Sequence, residues 1–148
     1  MNTKIVVDSS ASLYTLQGVD FECVPLKIIT DDAEYLDNGT MDALGMAQTL
    51  RTYKGKTSTS CPNVSDWLAA YEGADEVYAI TITGTLSGSY NAAMAAREMV
   101  LEEHPEKKIF VLDTLSCSGA LAGAAELANK LIGEDQTFDD ICFALKKF

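Results

Sequence analysis

Short apolar runs and longer stretches of helical spacing take turns along the chain. Lys4-Ile5-Val6-Val7 is β-branched and unbroken, and Asp8-Ser9-Ser10 stops it, so it predicts a buried strand. Phe21 to Thr30, "FECVPLKIIT", is a second β-rich segment. Pro25 inside it lacks a ladder donor, which places the segment at a sheet edge or a bulge. "DDAEYLDNGT" is turn-rich, and Thr40-Met41-Asp42 then opens a helix through about Thr52. Lys54 to Pro62, "KGKTSTSCP", predicts a hydroxyl-rich loop with no clear strand leading into it.

Asn63 and Asp66 form a cap pair ahead of "WLAAYEG", the next helix. Glu76 to Thr83, "EVYAITIT", reads as a strand, followed by a helix to about Glu103 that ends near Pro105. "KKIFVLDT" is a further strand, "LSCSGALAGAAELANKLIGE" a helix rich in small residues, and Thr137-Phe138-Asp139-Asp140 caps a last helix, "ICFALKKF". Strands alternating with helices predict an α/β fold in three layers, a mostly parallel sheet flanked by helices, as one domain over residues 1–148. The Ala92 to Ala96 and Ala120 to Ala128 stretches suit close packing of helix on sheet.

Composition narrows the function. The chain has 148 residues, enough for a core, and a net charge of −11. Such a surface repels nucleic acid, and no basic stripe offsets it. No apolar run approaches the ~20 residues of a membrane span. The N-terminus lacks the apolar core of a signal peptide, so a cytoplasmic location and no integral membrane contact are expected. Four dispersed cysteines, without a C-x-x-C pair, and a single histidine argue against zinc and against a disulfide framework. Cys23 and Cys142 read as small apolar residues, while Cys61 and Cys117 sit in polar loops.

The candidate chemistry lies where strands run into loops that precede helices. Val7 leads into Asp8-Ser9-Ser10, Thr83 into Gly84 through Ser89, and Asp113 into Thr114, Ser116, Ser118 and Gly119. In a parallel sheet these ends share one edge, where ligands bind. Helix N-termini there offer unpaired N–H groups and partial positive charge, and hydroxyls add donors. The pattern fits a neutral cradle for a carboxylate or phosphate. For any one loop a plain N-cap is the commoner role; several such loops on one edge shift the weight toward a site. A P-loop, a G-x-G-x-x-G pattern and a G-x-S-x-G elbow are all missing, and Ser87 has no obvious histidine base. Asp8 and Asp113 end strands, where a carboxylate either binds magnesium, acts as a base or caps the next loop. Chemistry alone therefore favours a binding domain over an enzyme.

These residues resemble the DegV family of bacterial fatty-acid-binding proteins. "KIVVDSSASL" resembles its opening strand and D-S-A/S loop, and "VPLKIITDDAEYLDNGTM" its P-L-x-I segment and extended hairpin. "TSTSCPNVSDW" resembles its T-S-Q-P-S loop, "AITITGTLSGSYNAAMAA" its L-S-G-T-Y-N-S/A-A element, and "IFVLDTLSCSGA" its V-I/L-D-S/T-x-x-A/S-x-G segment. Cys61 and Asn63 stand where the family usually has Gln and Ser.

The resemblance implies a long-chain fatty acid held between two lobes. Its carboxylate would be bound by Thr59, Ser60, Ser87, Gly88 and Ser89, with Asp8, Ser9, Thr114 and Ser118 as further site-lining residues. It also implies presentation of the acid to a separate fatty-acid kinase catalytic subunit, and no cofactor, metal or catalytic residue in this chain. Members run to roughly twice this length, so the chain matches the N-terminal lobe only. Weak lipid binding by this lobe alone and self-association through an exposed lobe interface are then expected. Two alternatives remain open: a small metal-dependent hydrolase or phosphotransferase using Asp8 and Asp113, and a non-catalytic interaction domain.

Overall fold

The structure, a computed structural model, describes residues 1–148. Four parallel strands form the main sheet: β1 (Thr3–Asp8), β2 (Asp20–Val24), β6 (Glu76–Thr81) and β7 (Lys108–Asp113), in the order β2-β1-β6-β7. The unbroken apolar runs of β1 and β6 occupy the two central positions and are buried throughout or nearly so, as a sheet covered on both faces requires. Both neighbours of β1 are in register, with Val7 opposite Cys23 of β2 and Ile80 of β6.

Helices cover the two faces and make the three expected layers. On one face α2 (Val64–Tyr71) and α3 (Ser89–Glu103) pack with Val6, Val77 and Ala79 around Trp67 and Tyr71. On the other, α4 (Gly119–Gly133) and α5 (Phe138–Lys147) close over Ile5, Val7, Tyr78 and Ile80. Close approach comes from the small residues: Ala93 and Ala96 of α3, and Ala124, Ala125 and Ala128 of α4, are fully buried. Capping follows the sequence signals. Asn63 and Asp66 form a reciprocal capping box on α2, and the Thr137 hydroxyl accepts the Asp140 N–H to start α5.

Pro25 marks a change of sheet. β2 is the edge strand expected, but after Pro25 the chain enters a second, antiparallel sheet. There β3 (Lys27–Thr30) lies between β4 (Glu34–Leu36) and β5 (Thr57–Ser60). The turn-rich stretch is the β3–β4 hairpin, closed by the Thr30 N–H on the Ala33 carbonyl. The expectation of a loop over Lys54 to Pro62 is corrected by β5. "TSTS" holds no apolar residue, so its strand character comes from pairing with β3, register Ile28↔Thr59 and Lys27↔Ser60. Between β4 and β5 runs α1 (Ala43–Thr52), capped by Asp42. No residue from 25 to 60 is buried. No helix is long and apolar enough to cross a membrane.

Candidate ligand-binding site

The main sheet reverses its direction of growth between β1 and β6, and the C-terminal ends of these strands form a switch point. Three loops meet at this edge: Ser9–Ser12 after β1, 82–88 after β6, and 114–118 after β7. Cross-bonds hold them together. The Gly84 N–H donates to Asp113 Oδ2 at 3.2 Å and the Leu115 N–H to Asp113 Oδ1 at 2.9 Å. The Thr83 N–H reaches the Ser116 carbonyl at 2.9 Å, and the Thr114 hydroxyl donates to the Thr81 carbonyl at 2.9 Å.

The loop after β6 delivers the N-terminus of α3. Ser87 Oγ accepts the Ser89 N–H at 3.2 Å, and its own hydroxyl proton has no acceptor within the chain. The backbone N–H groups of Gly88, Tyr90 and Asn91 likewise find no acceptor. These are the orphan donors of a helix start, and no charged side chain occupies residues 82–91. Half-buried Ser87 and exposed Gly88 therefore present an O–H and several N–H groups at the sheet edge. An oxyanion fits such a donor set.

The second sheet reaches the same place. A Cβ on Gly88 would lie 3.2 Å from Cys61 Sγ, so the exit of β5 touches the start of α3. The tight approach explains a glycine here, since its φ of −74° suits any residue. Thr59 and Ser60 are successive residues of β5, and strand alternation turns them to opposite faces. Thr59 is exposed, while the half-buried Ser60 hydroxyl donates to the Cys61 carbonyl at 3.2 Å.

Other expected site residues lie behind the edge rather than on it. Asp8 is 0% exposed, and its carboxylate is fully engaged. Oδ1 accepts the Ser10 N–H at 3.2 Å and the Ser10 hydroxyl, while Oδ2 accepts the Ile82 N–H at 2.8 Å and the Ser89 hydroxyl at 2.8 Å. Ser9, 1% exposed, accepts the Leu26 N–H at 2.9 Å and ties the start of the second sheet to β1. Ser89 is 0% exposed and spends its hydroxyl on Asp8. Asp8 and Ser9, expected as site-lining residues, are thus placed behind the edge, and the hydroxyl of Ser89 points inward. Burial and satisfied hydrogen bonds, invisible in a one-dimensional pattern, make the difference.

Thr114 knits β7 to β6, whereas Ser118 is exposed and starts α4 with φ +54° and no side-chain cap bond. Leu115, also in this loop, has φ +51° and is 77% exposed; Leu86 in the loop after β6 is 74% exposed. Sequence reasoning missed both leucines, although a leucine inside a hydroxyl-rich loop is itself a signal. Non-glycine residues held at positive φ store strain, which concentrates at functional sites. No group of three or more His, Cys, Asp or Glu is arranged to hold a metal.

Comparison with known proteins matches this arrangement to one family. The family model DegV, described as "Uncharacterised protein, DegV family", covers residues 2–148. A DegV domain-containing protein of Streptococcus pneumoniae is 35% identical over 152 aligned residues, covering 100% of this chain and 54% of the relative. One from Streptococcus gordonii is 37% identical, covering 95% of this chain and 52% of the relative.

Among solved structures, a Eubacterium eligens DegV family protein loaded with heptadecanoic acid superposes with a TM-score of 0.95 at 38% identity, over 99% of this chain and 53% of that one. The Streptococcus pneumoniae Fatty Acid Kinase B3 protein loaded with linoleic acid gives 0.96 at 35% identity, over 100% and 54%. The chain spans about half the length of the relatives it matches.

Proposed function

The chain belongs to the DegV family, and from that premise we propose that it binds the carboxylate of a long-chain fatty acid and presents the acid to a separate fatty-acid kinase. The observation that carries this reading is the donor set at the α3 N-terminus. The free Ser87 hydroxyl and the unpaired N–H groups of Gly88, Tyr90 and Asn91 sit at the sheet's switch point, the place where open α/β sheets take ligands. Two similar structures that hold fatty acids supply the ligand class. The Cys61–Gly88 contact brings the exit of β5 beside this donor set, which supports counting Thr59 and Ser60 near the site although their side chains take opposite faces of the strand. Exposed Leu86 and Leu115 flank the edge and suit the first methylenes of an acyl chain.

We read the chain as the N-terminal lobe, with the opposite wall of an acyl tunnel supplied by the part of the longer relatives that it does not match. Burying an acyl chain contributes about 0.8 kcal/mol per methylene only where water is excluded, so one lobe alone binds weakly. The proposed setting is the cytoplasm, with no nucleic-acid partner for a chain of net charge −11. A bound carboxylate needs donors and no proton acceptor, so binding and presentation require no catalytic base from this chain. Hydrolase or phosphotransferase chemistry at Asp8 and Asp113 has no supporting observation, since N–H and O–H donors already meet both carboxylates.

The test is titration with a long-chain fatty acid, beside mass spectrometry of lipid extracted from the natively purified protein. Ser87→Ala removes one hydrogen bond to a charged group, worth roughly 1.5–3 kcal/mol, and affinity should fall about tenfold or more. Unchanged affinity in Ser87→Ala would refute the cradle. No lipid and no saturable binding in the parent protein would refute the function.

A further inference from the structure

A carboxylate receptor with a fully buried carboxylate directly behind it poses a question, because Asp8 is 0% exposed, is already met by four donors, and carries a charge that opposes that of the ligand. The hydrogen bonds give the reason for its presence. Asp8 lies at the end of β1, the Ile82 N–H one residue beyond β6, and Ser89 is the first residue of α3. One oxygen, Oδ2, accepts from both at 2.8 Å and so spans the switch point, fixing where α3 starts relative to the sheet. The other, Oδ1, is locked by Ser10. Ser89, held by its hydroxyl, aims its N–H at Ser87 Oγ, and the Ser87 hydroxyl proton stays without an acceptor in the chain.

We infer that Asp8 is the positioning residue of the cradle: through Ser89 it sets the Ser87 hydroxyl and the α3 N–H groups in the geometry that recognises a carboxylate. The inference rests on the fatty-acid reading above. Pre-oriented donors matter most for a charged head group, since dipoles fixed in advance need no reorganisation when the charge arrives. Loosening them therefore weakens an acid more than an alcohol of the same chain length, whereas general destabilisation weakens both alike.

Octanoate and 1-octanol are the probes, titrated into the 148-residue chain and followed by the backbone amide shifts of Gly88 and Ser89. In the parent chain octanoate should move these amides and bind more tightly than 1-octanol. Asp8→Asn keeps the shape but places an amide N–H₂ against the Ile82 and Ser89 donors or against Ser10. The acid-over-alcohol preference should then drop about tenfold while 1-octanol affinity holds. Ser89→Ala cuts the same link from its other end, leaves the three remaining donors on Asp8 in place, and should lower the preference in the same direction; it decides the matter if Asp8→Asn does not fold. An undiminished or increased preference in the variant that folds overturns the positioning role and leaves the fatty-acid reading standing. No octanoate response at Gly88 and Ser89 in the parent chain overturns both.

Discussion

Cys23 and Cys117 show how differently one residue type behaves in two surroundings. Burial pushes the Cys23 thiol up to about 12, helped by the nearby charges of Asp37, Asp8 and Glu22. Burial also pushes Cys142 up, to about 11. Cys117 is exposed in the loop after β7. Since the thiolate is the reactive form, iodoacetamide at pH 8 should label exposed Cys117 at least about tenfold faster than half-buried Cys23 or buried Cys142; peptide mapping over time reads this directly. Fast labelling of Cys23 in the native protein would contradict the burial described. The apolar character of Cys23 and Cys142 was legible from their flanking residues. The inward turn of Ser89 was not, because a serine has the same signature whether it caps, binds or is buried. Its partner Asp8 is 81 residues away.

At the scale of elements, the second sheet is the least anchored part. It is held by Ser9 on Leu26, by the Cys61–Gly88 contact, and by a latch from Tyr14 to the residue after β4. The Tyr14 phenol donates to Asp37 Oδ1 at 2.6 Å. Gly39, at φ +80°, lies under the Tyr14 ring, where a Cβ would come within 2.7 Å of it. Glycine is needed there for both conformation and space.

Donation to Asp37, with some burial, raises the Tyr14 phenol from 10.0 to about 12. The folded state thus holds this proton more tightly than the unfolded chain. The latch's stabilisation is complete below pH 10 and is lost as pH rises through about 12. Tyr14→Phe should be less stable than the parent at pH 8, with a gap in urea midpoint that closes as pH approaches 12. A gap of the same size at both ends of that range would show that the phenol proton does not make the latch.

At the scale of the whole molecule, the main sheet is covered on both faces while the second sheet and α1 bury nothing fully. Leu44 on α1 is 78% exposed, and Leu86 and Leu115 lie exposed at the switch-point edge. We propose that these exposed leucines are contact points for self-association, the role that larger exposed apolar patches play. Sedimentation velocity should show the weight-average coefficient rising across the micromolar to submillimolar range. Leu44→Glu combined with Leu115→Glu should suppress that rise. A single monomer boundary at every concentration would exclude the association.

The sequence by itself determined the α/β class, the central strands, the helix caps and the chemical neutrality of the α3 start. Each is a local property: unbroken β-branched runs, helical spacing, Asn63-x-x-Asp66, and a stretch without charge. Tertiary structure alone decided three things. Thr57–Ser60 became a strand because β3 offered it a partner, and hydrogen bonds between distant segments leave no periodicity in a polar tetrapeptide. Asp8 and Ser9 lie buried behind the edge because the ends of β1, β6 and the second sheet close over them. Ser87 kept a free hydroxyl where Ser89 lost one because Asp8 stands behind one and not the other. Donors and acceptors are fixed by residue type, but which of them remain unspent depends on what the fold brings within 3 Å, roughly the reach of a hydrogen bond.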